Sequence, residues 1–280
     1  MMKSKDCFFS ASRFFMLCKK EIMEDWKKHA LRIVMIYGLL AILFLINGYN
    51  TYDHVADKVA ATGEELCASY VFNSLIVVLF LGGCWYASLV GERLKSKNGR
   101  LSVLLLPATQ FEKYLARWVV AVVLCPLLLY VIHSLADWTR VIVLEIIYPE
   151  YGQMISHVSP FAYLDTLLQN APKDDYTLLV VSFLYIFLQS CFVLGAMLWP
   201  KNSFAKTVAA LLAVGLLFGW VLGCTVSNVI PDDFYLSNQS ISLSEGEAAL
   251  LFVLFLGVMS LFNWVIAYFR FKEMEIINRW

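Results

Sequence analysis

Polar and apolar positions fall into long alternating blocks along this chain. Apolar runs with almost no charge occupy about residues 31–49, 69–90, 118–136, 176–199, 207–227 and 248–269. Each is close to the roughly 20 residues that a helix needs to cross a bilayer core. Asn47–Gly48–Tyr49–Asn50 closes the first run with a turn signal, and Pro200 stops the fourth. Pro126 predicts a kink in the third, because its ring removes a backbone donor and crowds the preceding turn. Residues 137–176 break the rhythm. Val141 to Tyr148 is apolar, but Arg140 and Glu145 interrupt it and Pro149 ends it. That stretch is too short to cross, so the region predicts one or two short helices lying on the membrane.

A finer period appears in two places. In residues 1–30, Phe14, Phe15, Leu17, Cys18, Ile22 and Trp26 lie broadly on one side of a helix, with Lys19, Lys20, Glu24, Lys27 and Lys28 on the other. That pattern predicts an amphipathic helix in the plane of the membrane interface. The second place is the loop from Gly91 to Arg117. Leu101 to Leu106 is apolar, Pro107 restarts the chain, and Thr109 with Glu112 forms a T-x-x-E capping box. Phe111, Tyr114, Leu115 and Trp118 then repeat at helical spacing, opposite Gln110, Glu112, Lys113 and Arg117. A second surface helix is expected there, feeding the third span.

Composition confirms the class. The 280 residues are 60% hydrophobic and 16% charged, against about a quarter charged in a soluble domain. The fold class is therefore an all-α polytopic membrane protein, one transmembrane domain over 1–280. Net charge is zero, so nothing in the overall balance calls for nucleic acid. Distribution is more informative. Of 22 basic residues, 19 fall in the N-terminal segment, the 91–117 loop, the 201–206 turn and the C-terminal tail. Lys58, Arg140 and Lys173 are the exceptions. The positive-inside rule then predicts six transmembrane helices with both termini in the cytoplasm.

Candidate chemistry is sparse. There is no H-E-x-x-H, no G-x-S-x-G and no phosphate-cradling G-x-x-x-x-G-K-[ST], so no catalytic residue, metal ligand or cofactor site is assigned. His133 and Asp137, four apart, are either a proton relay or ligand pair, or an interfacial structural pair; Asp137 and Arg140 suit a local salt bridge. A membrane enzyme would draw on His133, Asp137 or Glu145. Cys67 and Cys224 could both lie near the outer face, where one disulfide is conceivable. Gly215, Gly219 and Gly223 form a flat strip on the fifth span, suited to close helix packing either within the chain or across a subunit seam.

Two segments carry a family resemblance: FFSASRFFMLCKKEIMEDWKKHALRIV near the N-terminus and NGRLSVLLLPATQFEKYLARW in the central loop. With the six-span layout, they resemble the permease subunit of type-2 ABC exporters in the form common in Bacteroides-like bacteria. The resemblance implies an inner-membrane, multi-pass protein that binds no cofactor itself. It implies a cytoplasmic ABC ATPase partner carrying ATP and Mg, and a second permease subunit, identical or not. The loop would hold a cytoplasmic coupling helix between spans two and three, with Arg100, Pro107, Phe111, Glu112, Lys113 and Tyr114 meeting the ATPase. Gly215, Gly219 and Gly223 would lie at the subunit seam. The competing expectation is a membrane accessory or sensor protein that transports nothing.

Overall fold

The computed structural model describes residues 9–24, 26–54, 66–170, 176–199, 201–229 and 245–273. The side chains of 166–170, 222–229 and 245 fall outside that description. Every regular element among the described residues is helical: α1 (Ala11–Glu24), α2 (Trp26–His54), α3 (Ala68–Ser88), α4 (Lys97–Leu104), α5 (Gln110–Val119), α6 (Cys125–Ile147), α7 (Pro160–Asn170), α8 (Thr177–Leu198), α9 (Ser203–Val229) and α10 (Glu245–Lys272). Six stretches are long and apolar enough to cross a membrane: Trp26–His54, Ala68–Lys95, Gln110–Ile147, Thr177–Leu198, Ser203–Val221 and Gly246–Lys272. They match the six apolar blocks one for one. The chain is a multi-pass membrane protein, all-helical among the described residues.

Contacts divide the chain into two compact units, residues 1–86 with 108–172 and residues 87–107 with 173–280. In the first, α2 packs along α6. Leu40, Ala41 and Phe44 of α2 meet Ile132, Ala136, Val141 and Leu144 of α6, and Val71 of α3 joins them. Lipid tails are as apolar as these side chains, so close packing rather than water exclusion holds such a seam. In the second unit, α8 receives both α9 and α10. Val253, Leu256, Ser260, Ala267 and Phe271 make one buried stripe on α10, at three- and four-residue steps or their sums. Asn263 crosses to α8, its amide donating to Ser190 Oγ at 3.0 Å.

The third block differs from its sequence expectation. It does not stop near Ala136. The helix runs from Gln110 to Ile147, 38 residues, or about 57 Å at 1.5 Å per residue. Val141 to Ile147 is its continuation, not a separate element on the membrane. Of the charges that broke the sequence pattern, Arg140 is neutralised internally, as described below, while Glu145 is exposed. A π turn at Val120–Leu124 precedes Pro126, with the Cys125 N–H donating to the Val120 carbonyl. Proline lacks a donor and crowds the carbonyl four residues back, and the wider turn takes up that misfit. Beyond Ile147 the chain turns back. Phe161 of α7 faces Tyr130 and Tyr163 faces Phe72 of α3, at ring distances of 6.1 and 4.9 Å. Among the described residues, α7 is the one separate α-helix in the 137–176 region.

The α8–α9 turn places Asn202 at φ 55, which asparagine tolerates better than most residues. Just before it, Gly195 lies against Thr207, where any Cβ would collide with the threonine side chain. We expect Gly195→Val to destabilise this unit by about 1–3 kcal/mol through overpacking. Gly215→Val, which meets nothing within 4 Å, should leave the chain's own stability unchanged. Thermal unfolding in detergent checks both; equal midpoints for the two variants would remove the packing role of Gly195.

Candidate functional site

The strongest polar construction in the first unit joins α1 to α5. Thr109 caps α5: its Oγ1 accepts from the Glu112 N–H at 3.2 Å, and Glu112 Oε2 accepts from the Thr109 N–H at 3.1 Å. The expected capping box is present. Glu112 Oε1 then accepts from the Ser10 N–H at 2.7 Å and from Arg13 Nη2 at 3.1 Å. Further along α5, Arg117 Nε donates to Glu21 Oε1 at 3.1 Å. The signs are reciprocal: α1 supplies a cation then an anion, and α5 supplies an anion then a cation. Leu17 of α1 is buried between the two pairs in sequence. Cys18 sits on the same helix, and burial, then the Glu21 carboxylate, push its thiol above the ordinary range. It is accordingly a poor nucleophile near neutral pH.

This geometry places the sequence-predicted docking residues in two settings. Glu112, Lys113 and Tyr114 are buried, and Phe111 is half-buried. Water is the expected neighbour for the polar face of α5, yet Glu112 and Arg117 are spent on α1. Arg100, on α4, is half-buried, and Pro107 is exposed within its own turn. What the second unit displays is a tip that sequence pattern alone does not single out. Ser96 caps α4, its Oγ accepting from the Gly99 N–H at 3.1 Å. Around that cap Lys95, Lys97, Asn98 and Ser102 are exposed, and Leu105 is 79% exposed. Gly91 seats the start of this segment on α8: a Cβ there would strike the Ala196 carbonyl oxygen. The available signal is Ser96-x-x-Gly99 after a tight Gly91 turn, which makes the basic tip a helix start and not a slack loop.

A third arrangement lies near the end of α6. Asp137 is fully buried and meets three partners. Arg140 Nε donates to Oδ1 at 2.8 Å, the Val158 N–H donates to Oδ2 at 2.9 Å, and His157 Nδ1 lies 2.7 Å from Oδ2. Arg140, equally buried, also donates to the Ser156 carbonyl at 2.9 Å. Trp138 stacks on the His157 ring at 4.9 Å. His133 contacts Ser74 Oγ and the Val71 carbonyl instead, at 3.0 and 3.1 Å. The predicted Asp137–Arg140 salt bridge is there, and His157, 20 residues on, completes it. A carboxylate 2.7 Å from a histidine has the geometry of half a catalytic triad. Among the described residues no hydroxyl or thiol bonds the other ring nitrogen, and Arg140 already neutralises the carboxylate. The arrangement clamps residues 156–158 onto α6. Glu145 is exposed and takes no part.

Gly215 and Gly219 lie on a helix that is exposed nearly all round from Leu212 to Val221. Of the most apolar 18 residues there, 6% are buried, against 39% in the second span. The helix continues through Gly223, whose surroundings lie outside the described residues, as does Cys224 and with it any pairing to the buried Cys67. Among the described residues no group of three His, Cys, Asp or Glu could hold a metal ion. No protein-family model, curated protein or solved structure matches this chain.

Proposed function

We propose that this chain is the permease subunit of an ATP-driven exporter of the type-2 ABC class, in a bacterial inner membrane with both termini inside. The observation that carries the reading is the tip at Lys95–Pro107. A capped short helix, basic and tipped by one exposed leucine, stands between the second and third spans in the chain. An exposed apolar anchor ringed by charge is the composition of a protein contact. The occupant is a cytoplasmic ATPase, which supplies ATP and Mg; this chain contributes docking and a path.

The docking residues are accordingly revised. Lys95, Lys97, Ser102, Leu105 and Pro107, with the half-buried Arg100, form the proposed contact; Phe111 is half-buried and Glu112, Lys113 and Tyr114 are buried, so they are not offered as contacts. The nearly unburied α9, with its glycines, is proposed as the seam with a second permease subunit. Pulldown in mild detergent tests the reading. A P-loop ATPase should co-purify in stoichiometric amount. Its recovery should fall at least about tenfold when Lys95→Glu, Lys97→Glu and Leu105→Asp are combined, since central anchors dominate such contacts. Unchanged recovery would move the docking element elsewhere. A wild-type preparation with no ATPase would favour the accessory or sensor reading.

A further inference from the structure

We infer that α1 is a sensor of anionic lipid whose state is passed to α5 through the paired ion bridges. Its two faces have different commitments. Arg13, Leu17 and Glu21 turn toward α5. Phe15, Met16, Ile22, Met23 and Trp26 are 45–69% exposed, with Lys19 between them. Phe15, Lys19, Ile22 and Met23 follow i, i+4, i+7, i+8, which is one face of α1, and Trp26 opens α2 just beyond its end.

The occupant of that face is argued from the chain itself. One residue separates Glu24 from Trp26, the first residue of a membrane-spanning helix. Two Cα–Cα steps span about 7.6 Å at most, so the end of α1 cannot leave the bilayer surface. Its apolar side chains match the acyl boundary, and the lysines at 19, 27 and 28 match anionic headgroups. Lysine stems lie along apolar surface while their ammonium groups reach the phosphates. Each such lysine is worth about fivefold in partitioning to an anionic leaflet, so three give on the order of a hundredfold. A helix so held fixes Arg13 and Glu21, and with them Glu112 and Arg117. The first turn of α5 is then ordered or loosened by the lipid under α1. The inference deepens the permease reading, because α5 follows the proposed docking segment in the chain, but it does not need the ATPase.

The test is hydrogen exchange on the full chain in nanodiscs of phosphatidylcholine alone or equimolar with phosphatidylglycerol. Exchange across residues 9–24 should slow at least about tenfold in the anionic discs, and residues 109–113 should slow with it. In Glu112→Gln, residues 9–24 should still respond while 109–113 no longer do. Phe15→Ser with Met23→Ser, which leaves the ion pairs intact, should abolish the response of both segments. No dependence on lipid charge would overturn the inference. So would a response that follows the number of chains per disc, which would give the face to a second copy, or an unmoved 109–113 in the wild type. Absence of an ATPase partner would sink the permease reading and leave this result standing.

Discussion

Asp137→Ala should be the most damaging single substitution in the first unit, costing about 3–5 kcal/mol. It strands Arg140, whose side chain is 1% exposed, with an uncompensated charge. It also frees His157 and the Val158 N–H, and so loosens the return segment from α6. In detergent the unfolding midpoint should drop on the order of 10 °C. A companion variant separates loss of charge balance from loss of shape. Asp137→Leu with Arg140→Met removes both charges and keeps the volume, and buried ion pairs replaced in this way are often neutral or better. Its midpoint should lie near wild type, well above either single variant. If the double variant falls as far as Asp137→Ala, the bonds to Ser156 and Val158 matter more than the ion pair. His157→Ala should cost less, because its side chain is 22% exposed and Arg140 still neutralises the carboxylate.

That cluster also marks where the sequence is hardest to read. The six spans are legible, because a run of about 20 apolar residues has few other uses. The end of the fourth span is legible at Pro200, since α8 stops at Leu198, but the turn signal at Asn47–Asn50 misleads: α2 stays helical through it to His54. The third span is not, because Arg140 and Glu145 interrupt its apolar run and hydropathy also counts Asp137 and Arg140 as two separate charges. In the fold they are one neutral unit, at 2.8 Å on successive turns of one helix. Their spacing suggests the bridge, but nothing local names His157, which reaches Asp137 only after the chain has reversed. On α5 the limit is the reverse. Its amphipathic period is correct, yet the period assigns its polar face to water. Polar periodicity shows which residues share a face; it does not show whether water or another helix supplies the partners. Here the partners lie about a hundred residues away, and the visible clue is the reciprocal order of charge, Arg13 and Glu21 against Glu112 and Arg117. The exposed tip escapes for a related reason. For orientation every loop lysine is equal, so a charge count gives no weight to the place of Lys95 and Lys97 around the Ser96 cap.

Glu112→Ala should detach α1 without removing any span. Its carboxylate accepts three bonds, from the Thr109 N–H, the Ser10 N–H and the Arg13 guanidinium. Glu112 supplies the return half of the capping box while Thr109 keeps the other half, so that share lies at the low end of the roughly 0.5–2 kcal/mol of a full cap. Charge-assisted bonds at a buried carboxylate contribute about 1.5–3 kcal/mol. The Arg13 share is smaller, since that side chain is 41% exposed and water replaces its partner readily. A sum of about 3 kcal/mol corresponds to roughly a hundredfold rise in the open population of α1. Trypsin reports it directly, because Lys19 and Lys20 lie within α1 and cleavage requires local opening. Cutting there should accelerate at least about tenfold in Glu112→Ala, while the spans stay uncut and the protein stays monodisperse. Arg13→Ala should give a smaller acceleration, and Arg117→Ala an intermediate one through Glu21. Rates for Glu112→Ala equal to wild type would mean that Leu17 and its apolar neighbours hold α1 unaided. From sequence, Glu112 reads as a docking residue. The geometry gives another order of events: α1 loosens first, and any weakening of partner binding follows from that.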